Sequence, residues 1–273
     1  MQNVVSDSFD VTTLLGSKLG LSLLLPLNAD TESEFTLNSL FNIFPNEPLN
    51  GETPKLKYFG VGIRGCYNSD DGILQTAYNP KRTDMNLYTL IPIRCRPVDE
   101  DLSAAERAQY RIRVKKMING NEYFCYYLKM LNYTSTDVRY KRVNITTGRE
   151  EAYELSTSYL NPVPERPNTD TTIETNATSI IAYAEATVNV AADEVLEYIK
   201  LAYNGDTRYA KISELGFFTG VDVEVTSNGV TYLESIHTQL YNHVTWLGAN
   251  LTREGMLFES TFQINSNGSI SDQ

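Results

Sequence analysis

The chain has 273 residues, of which 41% are hydrophobic, so it can bury a sizeable core, which argues against a disordered protein. It carries 34 acidic and 23 basic side chains, a formal net charge of −11, which argues against a dedicated nucleic-acid-binding protein. Only two histidines and three cysteines are present, too few for a zinc-rich or disulfide-stabilised fold. No residue pattern predicts a catalytic, cofactor-binding or metal site.

Residues 1–54 predict an N-terminal arm that is held by apolar side chains. Leucines alternate there with glycine and serine, and phenylalanines follow, before prolines and asparagines break any regular element. Side chains this apolar must be buried either on the main domain or on another chain, and the sequence leaves both arrangements open. The residues expected to anchor the arm are Leu14, Leu15, Leu19, Phe35, Phe41 and Phe44.

Residues 55–160 are predicted to form a β-rich domain. Residues 56–65 are typical of a strand that runs into a glycine-rich turn, and residues 86–96 are typical of a second strand. The turn matches the pattern G-x-G-x-x-G, but the residues after it have the composition of a loop. A nucleotide-binding site requires a helix there, so we interpret the pattern as the end of a strand.

A short helix and a β-hairpin are predicted next. Ser103 and Glu106 have the spacing of a capping box at the start of a helix. From Tyr110 apolar and basic side chains alternate, and Asn119-Gly120 separates this segment from a second extended one. The pattern therefore predicts two antiparallel strands joined by a tight turn.

The length of that turn decides which residues of the hairpin face each other. A two-residue loop pairs Arg113 with Tyr126, whereas a three-residue loop pairs Ile112 with Leu128 and gathers apolar side chains on one face. We favour the three-residue loop, because it also suits glycine in the left-handed position of a bulged loop. The opposite face would then display a row of basic side chains, Arg111, Arg113 and Lys115.

The second half of the chain predicts a connector, a mixed part and a tail. Residues 161–178, which are rich in proline and threonine, are expected to be an extended connector. Residues 179–264 are expected to combine strands with two amphipathic helices, at 193–203 and at 232–247, because apolar residues recur there every three or four positions. Residues 265–273 are polar and are predicted to be disordered. The predicted fold class is therefore α+β, with antiparallel hairpins in the β-rich N-terminal and central part and a mixed α/β C-terminal part.

Basic side chains gather in the centre of the chain. Residues 81–142 carry a net charge of +6, whereas residues 143–273 carry −12, and such asymmetry indicates contacts with partners or with internal neighbours. We expect the basic cluster to contact an acidic protein surface, on this chain or another, and a contact with nucleic acid is the alternative. The residues of this predicted basic face are Arg94, Arg96, Arg107, Arg111, Arg113, Lys115 and Lys116.

Three segments resemble those of structural proteins of tailed-phage virions. They are KYFGVGIRG at 57–65, NLYTLIPIR at 86–94 and KISELGFFTGVD at 211–222. The resemblance is one of style and extends over most of the chain, which is acidic, rich in Asn, Thr and Tyr, and has an apolar arm and a polar tail. It implies a neck, tail or baseplate component that is made in the host cytoplasm and assembles in many copies in the virion.

Three hypotheses for the function follow. The leading one is a non-enzymatic virion subunit without cofactor or membrane, which contacts copies of itself, other virion proteins and, through the basic face, packaged DNA. The alternative is a carbohydrate- or receptor-binding β module with exposed tyrosines, and an open groove lined by Tyr123, Tyr126 and Tyr127 would indicate it. The third is an enzyme whose active site assembles in space around His237 or His243.

Overall fold

The structure is a computed structural model that describes residues 9–24, 33–68, 75–134, 137–144, 146–161, 178–227, 230–265 and 270–272. Strands make up 53% of it and helices 18%, so the fold belongs to the β-rich α+β class, as the sequence predicts. The strand pairs are antiparallel. The predicted connector, apart from its two end residues, lies outside the described residues.

The larger sheet has eight strands in the order β1-β14-β13-β2-β8-β6, with β5 added to β2 and β7 added to β8. The two longest strands, β13 and β14, lie side by side near its centre. The strands are β1 (Phe9–Thr12), β2 (Lys55–Gly62), β5 (Leu90–Ile91), β6 (Arg94–Pro97), β7 (Tyr110–Ile118), β8 (Asn121–Met130), β13 (Lys211–Ser227) and β14 (Val230–Asn250).

A second sheet has six strands in the order β11-β10-β12-β15-β16, with β9 added to β12. Each of the two sheets takes strands from both 55–160 and 179–264, so the predicted boundary between these parts separates them in sequence but not in space. A third, small sheet pairs β3 (Cys66–Asn68) with β4 (Gln75–Ala77). The strands of the second sheet are β9 (Asn132–Tyr133), β10 (Arg139–Asn144), β11 (Glu150–Tyr153), β12 (Thr178–Ala191), β15 (Leu257–Asn265) and β16 (Ile270–Asp272).

The main core lies where the two large sheets meet. Phe217 of β13 contacts Phe262 of β15 with ring centroids 5.2 Å apart, and Trp246 of β14 stacks on Phe258 of β15 at 5.6 Å. All four side chains are buried. Burial of large aromatic side chains is among the strongest contributions to a core, so these contacts fix one sheet against the other.

Four α-helices accompany the sheets in the part of the chain that the structure describes. α3 begins with the predicted capping box, in which the Ser103 hydroxyl accepts from the Glu106 amide and the Glu106 carboxylate accepts from the Ser103 amide. α4 agrees with the helix predicted at 193–203 and buries Leu196 and Ile199. None of the helices in the described ranges is long and apolar enough to cross a membrane. The helices are α1 (Leu14–Leu24), α2 (Leu37–Phe41), α3 (Ala104–Arg107) and α4 (Ala192–Ala202).

The second predicted helix, at 232–247, is wrong, because these residues belong to β14. The pairing of β13 with β14 contains three register shifts, and such bulges interrupt the strict alternation of side chains along a strand. The apolar residues that suggested a helix do not mark one buried face of β14: Ile236, Leu240 and Val244 are buried, whereas Leu233 is 38% exposed. Their spacings of three and four in the sequence nevertheless match the period of a helix.

The register of the predicted hairpin between β7 and β8 also differs from the one we favoured. Arg113 pairs with Tyr126, which is the register of a two-residue loop. Asn119 and Gly120 have φ angles of 51° and 83°, the positive values of the turn that matches the twist of two antiparallel strands. The basic residues of β7 do not share one outward face, because Arg111 is 1% exposed whereas half of the Lys115 side chain is exposed.

The N-terminal arm lies on the larger sheet of the same chain. β1 pairs with the outer edge of β14 over four residues, and the Thr13 hydroxyl donates to the carbonyl of Leu240 at 2.6 Å. The Asn38 side chain of α2 donates to the carbonyl of Ser235 at 2.7 Å and accepts from the amide of Thr238 at 2.9 Å. Backbone and side-chain hydrogen bonds therefore hold the described parts of the arm on the sheet of their own chain.

The polar tail is the third difference from the sequence prediction. Ile270–Asp272 forms β16, which pairs with Phe262–Ile264 of β15. This part of the predicted disordered segment 265–273 is therefore a strand at the edge of the second sheet. The added strand covers backbone groups of β15 that would otherwise remain unpaired.

Candidate interaction surfaces

The predicted basic residues lie on β6, α3 and β7, where most of them contact carboxylates of the same chain. Arg111 is the most buried, with 1% of the residue exposed. Its Nε donates to Asp222 Oδ1 at 2.6 Å, and its Nη1 donates to the carbonyls of Ala108 and Tyr110, both at 2.8 Å. Arg111 therefore acts as an internal cation of the fold.

Asp222 of β13 accepts two further hydrogen bonds. Lys57 Nζ donates to it at 2.9 Å and the Tyr58 hydroxyl at 2.7 Å. Burial raises the pKa of Asp222, but the hydrogen bonds from Lys57, Arg111 and Tyr58 outweigh it, and the pKa falls below its ordinary value of 3.8. The carboxylate is thus held ionised by the groups around it.

Asp101 joins two more of the predicted residues. Arg107 and Arg113 donate to its Oδ2 at 2.6 and 2.8 Å, and the Tyr126 hydroxyl donates to its Oδ1 at 2.6 Å. Charge-assisted hydrogen bonds of this kind are strong when they are shielded from water. We call the two carboxylates and the three arginines bound to them the hairpin charge cluster; its members are Asp101, Asp222, Arg107, Arg111 and Arg113.

The two arginines of β6 form ion pairs with α4. Arg94 and Arg96 lie 3.1 and 3.5 Å from Glu197 Oε1 of α4. Burial raises the pKa of Glu197, and the two guanidinium groups oppose that shift. These ion pairs hold α4 to the end of the larger sheet.

The two lysines complete the predicted basic face. Lys115 pairs with Glu122 at 2.7 Å, with half of its side chain exposed. The Lys116 ammonium lies 5.0 Å from the ring centroid of Tyr127. Six of these seven cations therefore contact a carboxylate of this chain, and among the seven only Arg96, Lys115 and the partly buried Lys116 offer positive charge to solvent.

Glu234 of β14 is a buried carboxylate that the sequence analysis did not identify. It accepts hydrogen bonds from the amides of Ile112, Arg113 and Ser235 at 2.6, 3.1 and 2.9 Å. Burial raises its pKa although these amides oppose the shift. Ile112 has a φ angle of 55°, which is rare for a β-branched residue, so the Glu234 carboxylate stabilises an unusual backbone conformation in β7.

The glycine-rich segment contacts another buried carboxylate. Glu214 of β13 accepts from the amides of Arg64 at 2.7 Å, Tyr88 at 2.5 Å and Thr89 at 3.2 Å. A Cβ at Gly65 would lie 1.8 Å from a carbonyl oxygen of β13. The glycines therefore permit close contact between β13 and the end of β2, and the amides bind the protein's own carboxylate.

The two histidines lie in different surroundings. His243 is completely buried, with Nδ1 3.0 Å from Asp84 Oδ2 and Nε2 3.4 Å from Glu214 Oε2. His237 Nε2 lies 2.7 Å from the carbonyl oxygen of Glu47. In the described part of the chain, no group of three or more His, Cys, Asp or Glu side chains could hold a metal ion. Asp84, His243 and Glu214 form a closed cluster inside the protein.

An exposed group of tyrosines lies beside this closed cluster. Tyr67 of β3, Tyr78 after β4 and Tyr88 before β5 are 43%, 44% and 39% exposed. Ring centroids are 4.7 Å apart between Tyr67 and Tyr78, 5.8 Å between Tyr78 and Tyr88, and 4.8 Å between Tyr88 and His243. Burial and the nearby Asp84 carboxylate raise the pKa of Tyr88 to about 12. We call Tyr67, Tyr78 and Tyr88 the tyrosine surface.

The tyrosines of the hairpin do not form the platform that the alternative hypothesis required. Tyr126 and Tyr127 are each 1% exposed, and Tyr123 is partly buried against a group of buried side chains that includes Ile112 and Cys125. The tyrosine surface comes instead from three segments that are distant from the hairpin in sequence. No local pattern identifies it, because its members meet only after β3, β4 and β5 have been placed.

The predicted anchors of the arm divide into two groups. Leu15 and Leu19 of α1 are buried, and Phe41 of α2 stacks on Tyr127 with ring centroids 4.4 Å apart. The other three predicted anchors are exposed, and so is Leu40, which was not among the predicted anchors. These outward arm residues are Leu14, Phe35, Leu40 and Phe44, with 54%, 38%, 60% and 37% of each residue exposed.

Comparison with known families gives one match. The family model described as "Family of unknown function (DUF7208)" matches residues 1–266. No curated protein matches the chain, and no solved structure matches it. The match includes the arm, the larger sheet, the second sheet except β16, and all of the surfaces described above.

Proposed function

We propose that the chain, which belongs to the family of unknown function DUF7208, is a non-enzymatic structural subunit of a tailed-phage virion. In this proposal it assembles with copies of itself and with other virion proteins into a ring or layer of the neck, tail or baseplate. The observation that supports assembly best is the two-sided character of the arm. The proposed location follows from the resemblance of the three sequence segments.

The two sides of the arm are apolar, and only one of them is buried. In α1, Leu15 is 8% exposed whereas its neighbour Leu14 is 54% exposed; in α2, Leu37 is 2% exposed whereas Leu40 is 60% exposed. Burying one leucine side chain contributes roughly 2 kcal/mol. A second copy of the chain that covered the outward arm residues would therefore gain several such contributions without displacing the arm from its own sheet.

The contact with packaged DNA is a smaller part of the proposal. Arginines of the hairpin charge cluster already bind Asp101 and Asp222, so a phosphate could reach them only by displacing those carboxylates. Arg96 and Lys115 have 37% and 50% of their side chains exposed. We limit the proposed DNA contact to these residues and Lys116, and expect it to be weak and sensitive to salt.

The test of assembly compares the full chain with a double variant, Phe35→Ser with Leu40→Ser. Light scattering after size-exclusion chromatography should give a defined oligomer for the wild type and a monomer for the variant, with an unchanged circular dichroism spectrum. Leu257→Ser is the matched control, because Leu257 is 55% exposed on the second sheet, and it should leave the oligomer intact. A monomeric wild type at micromolar concentration, or an oligomeric double variant, would overturn the proposed role of the arm.

A second candidate function, carbohydrate binding, is supported by the tyrosine surface. Exposed tyrosine rings stack on the apolar faces of sugar rings and offer a hydroxyl at their edge. A glycan array probed with the full chain should then give a reproducible set of ligands. Tyr78→Ala should lose that binding, whereas Tyr209→Ala should retain it, since Tyr209 is also exposed and stacked but lies on Tyr203. Binding to no glycan, or equal binding by both variants, would reject this candidate.

A further inference from the structure

Two cysteines that are distant in sequence meet in the larger sheet. Cys95 of β6 and Cys125 of β8 are direct partners in the antiparallel register, and their Sγ atoms lie 2.9 Å apart. Both are buried, with 3% and 0% of the residue exposed, and both are free thiols. The third cysteine, Cys66, lies apart from them and has its Sγ 3.5 Å from the carbonyl oxygen of Leu247.

The antiparallel pairing of Cys95 with Cys125 is compatible with a disulfide between them. Directly opposite residues of antiparallel strands have Cα atoms about 4.5–5.5 Å apart. A disulfide accepts Cα separations of about 4.4–6.8 Å and has an S–S bond of about 2.05 Å. The sulfur atoms therefore need to approach by less than about 1 Å, a movement that side-chain rotation supplies without separating the strands.

The two thiols differ in acidity. The hydrogen bond with the Cys95 thiol and the nearby Lys116 ammonium lower the pKa of Cys125, although burial opposes them. The same hydrogen bond and burial raise the pKa of Cys95. The thiolate is the nucleophile in disulfide exchange, and the direction of these two pKa shifts favours Cys125 as the attacking group.

We propose that Cys95 and Cys125 form a reversible disulfide by exchange with a small disulfide oxidant such as oxidised glutathione. The Cys125 thiolate attacks one sulfur of the oxidant, breaks its S–S bond and releases one thiolate, which takes the proton of Cys95. The Cys95 thiolate then attacks Cys125 Sγ of the mixed disulfide and releases the second thiolate, which takes the proton that Cys125 lost. The two cysteines lose two electrons and two protons, and the oxidant becomes two thiols.

Access to the pair comes from the position of β6. This strand has four residues and ends the path of the larger sheet, so local opening there exposes the thiols without unfolding the centre of the sheet. The disulfide would close a loop between residues 30 apart, which contains α3 and β7. Oxidation would thus link β6 covalently to β8, next to the hairpin charge cluster, once the protein leaves a reducing compartment.

The experiment treats the folded full chain with oxidised glutathione at pH 8, blocks the remaining thiols and measures intact mass. We expect a mass loss of about 2 Da, one blocked thiol instead of three, and a non-reduced peptide that joins Cys95 to Cys125. The melting temperature should rise by roughly 5 °C and return to its original value with dithiothreitol. Cys66→Ser should behave in the same way, whereas Cys125→Ser should form no internal link and show no temperature shift with the oxidant.

Two results would overturn the inference. One is three blockable thiols in the wild type after prolonged oxidation, and the other is a link that includes Cys66 or joins two chains. Both results can be measured whether the protein is a monomer or an oligomer, so the outcome does not depend on the proposed virion function.

Discussion

The hairpin charge cluster and the tyrosine surface differ in how far their side chains are exposed to solvent. The first contains three arginines and two carboxylates, all with less than a fifth of the side chain exposed. The second contains three tyrosines, each about two-fifths exposed. The charged groups of the hairpin charge cluster pair with each other within the chain, whereas the aromatic rings of the tyrosine surface remain in contact with solvent.

This difference shows where a partner can gain from binding. A ligand at the hairpin charge cluster would have to replace ion pairs and hydrogen bonds that are already made and largely dry. A ligand at the tyrosine surface, or a second chain on the outward arm residues, would remove apolar area from water without breaking an existing contact. The charge density of this part of the sequence therefore indicates mainly internal structure, and the two surfaces where a partner gains most are apolar or aromatic.

The largest expected effect is that of breaking the hairpin charge cluster. Arg111→Met should lower the free energy of unfolding by about 3–5 kcal/mol, because it leaves the buried side of Asp222 with fewer partners and removes the donor to the carbonyls of Ala108 and Tyr110. Urea unfolding followed by circular dichroism measures the change. Tyr78→Ala, the counterpart on the tyrosine surface, should change it by less than about 1 kcal/mol. Equal losses in the free energy of unfolding for the two variants would contradict the expectation that the hairpin charge cluster stabilises the fold more than the tyrosine surface does.

A smaller effect is expected at the carboxylate that holds β7. Glu234→Gln replaces one acceptor oxygen by an amide NH₂ that faces backbone donors, so it should cost about 2 kcal/mol in the free energy of unfolding. Hydrogen exchange of the Ile112 and Arg113 amides should accelerate in the same variant. Glu122→Gln is the control, since Glu122 lies at the surface in a half-exposed pair and its replacement should leave stability within about 0.5 kcal/mol. Unchanged exchange at Ile112 would show that Glu234 does not hold β7.

Local signals correctly predicted the capping box and the existence of the hairpin, although the favoured register of the hairpin was wrong. The capping box depends on Ser103 and Glu106 alone, and the hairpin depends on Asn119-Gly120 between two extended segments. Such motifs are complete within a few residues. The sequence therefore contains all the information that they need.

The exposure of the arginines could not be predicted in this way. Whether the arginines of β7 point inward depends on a register that differs by one residue between two plausible loops. It also depends on Glu234, which is 122 residues from Ile112 and binds its amide. The long strand β14 was mistaken for a helix for a related reason, because its bulges arise from pairing with β13. Each of these features is set by long-range pairing that no local pattern records.

The smallest expected effect is in acid and tests whether Asp222 stabilises the fold as an ion. The pKa of Asp222 is lower in the folded protein than its ordinary value of 3.8, so its contribution is present above that pH and is lost as the pH falls through the folded value. Wild-type stability should therefore decline by about 1 kcal/mol more than that of Asp222→Asn between pH 5 and the acid limit of folding. The measurement is urea unfolding of both proteins at a series of pH values. Parallel curves of stability against pH for the two proteins would show that the rest of the fold, rather than this carboxylate, holds the arginines and Lys57 in place. The contrast between the hairpin charge cluster and the tyrosine surface would then be one of packing alone.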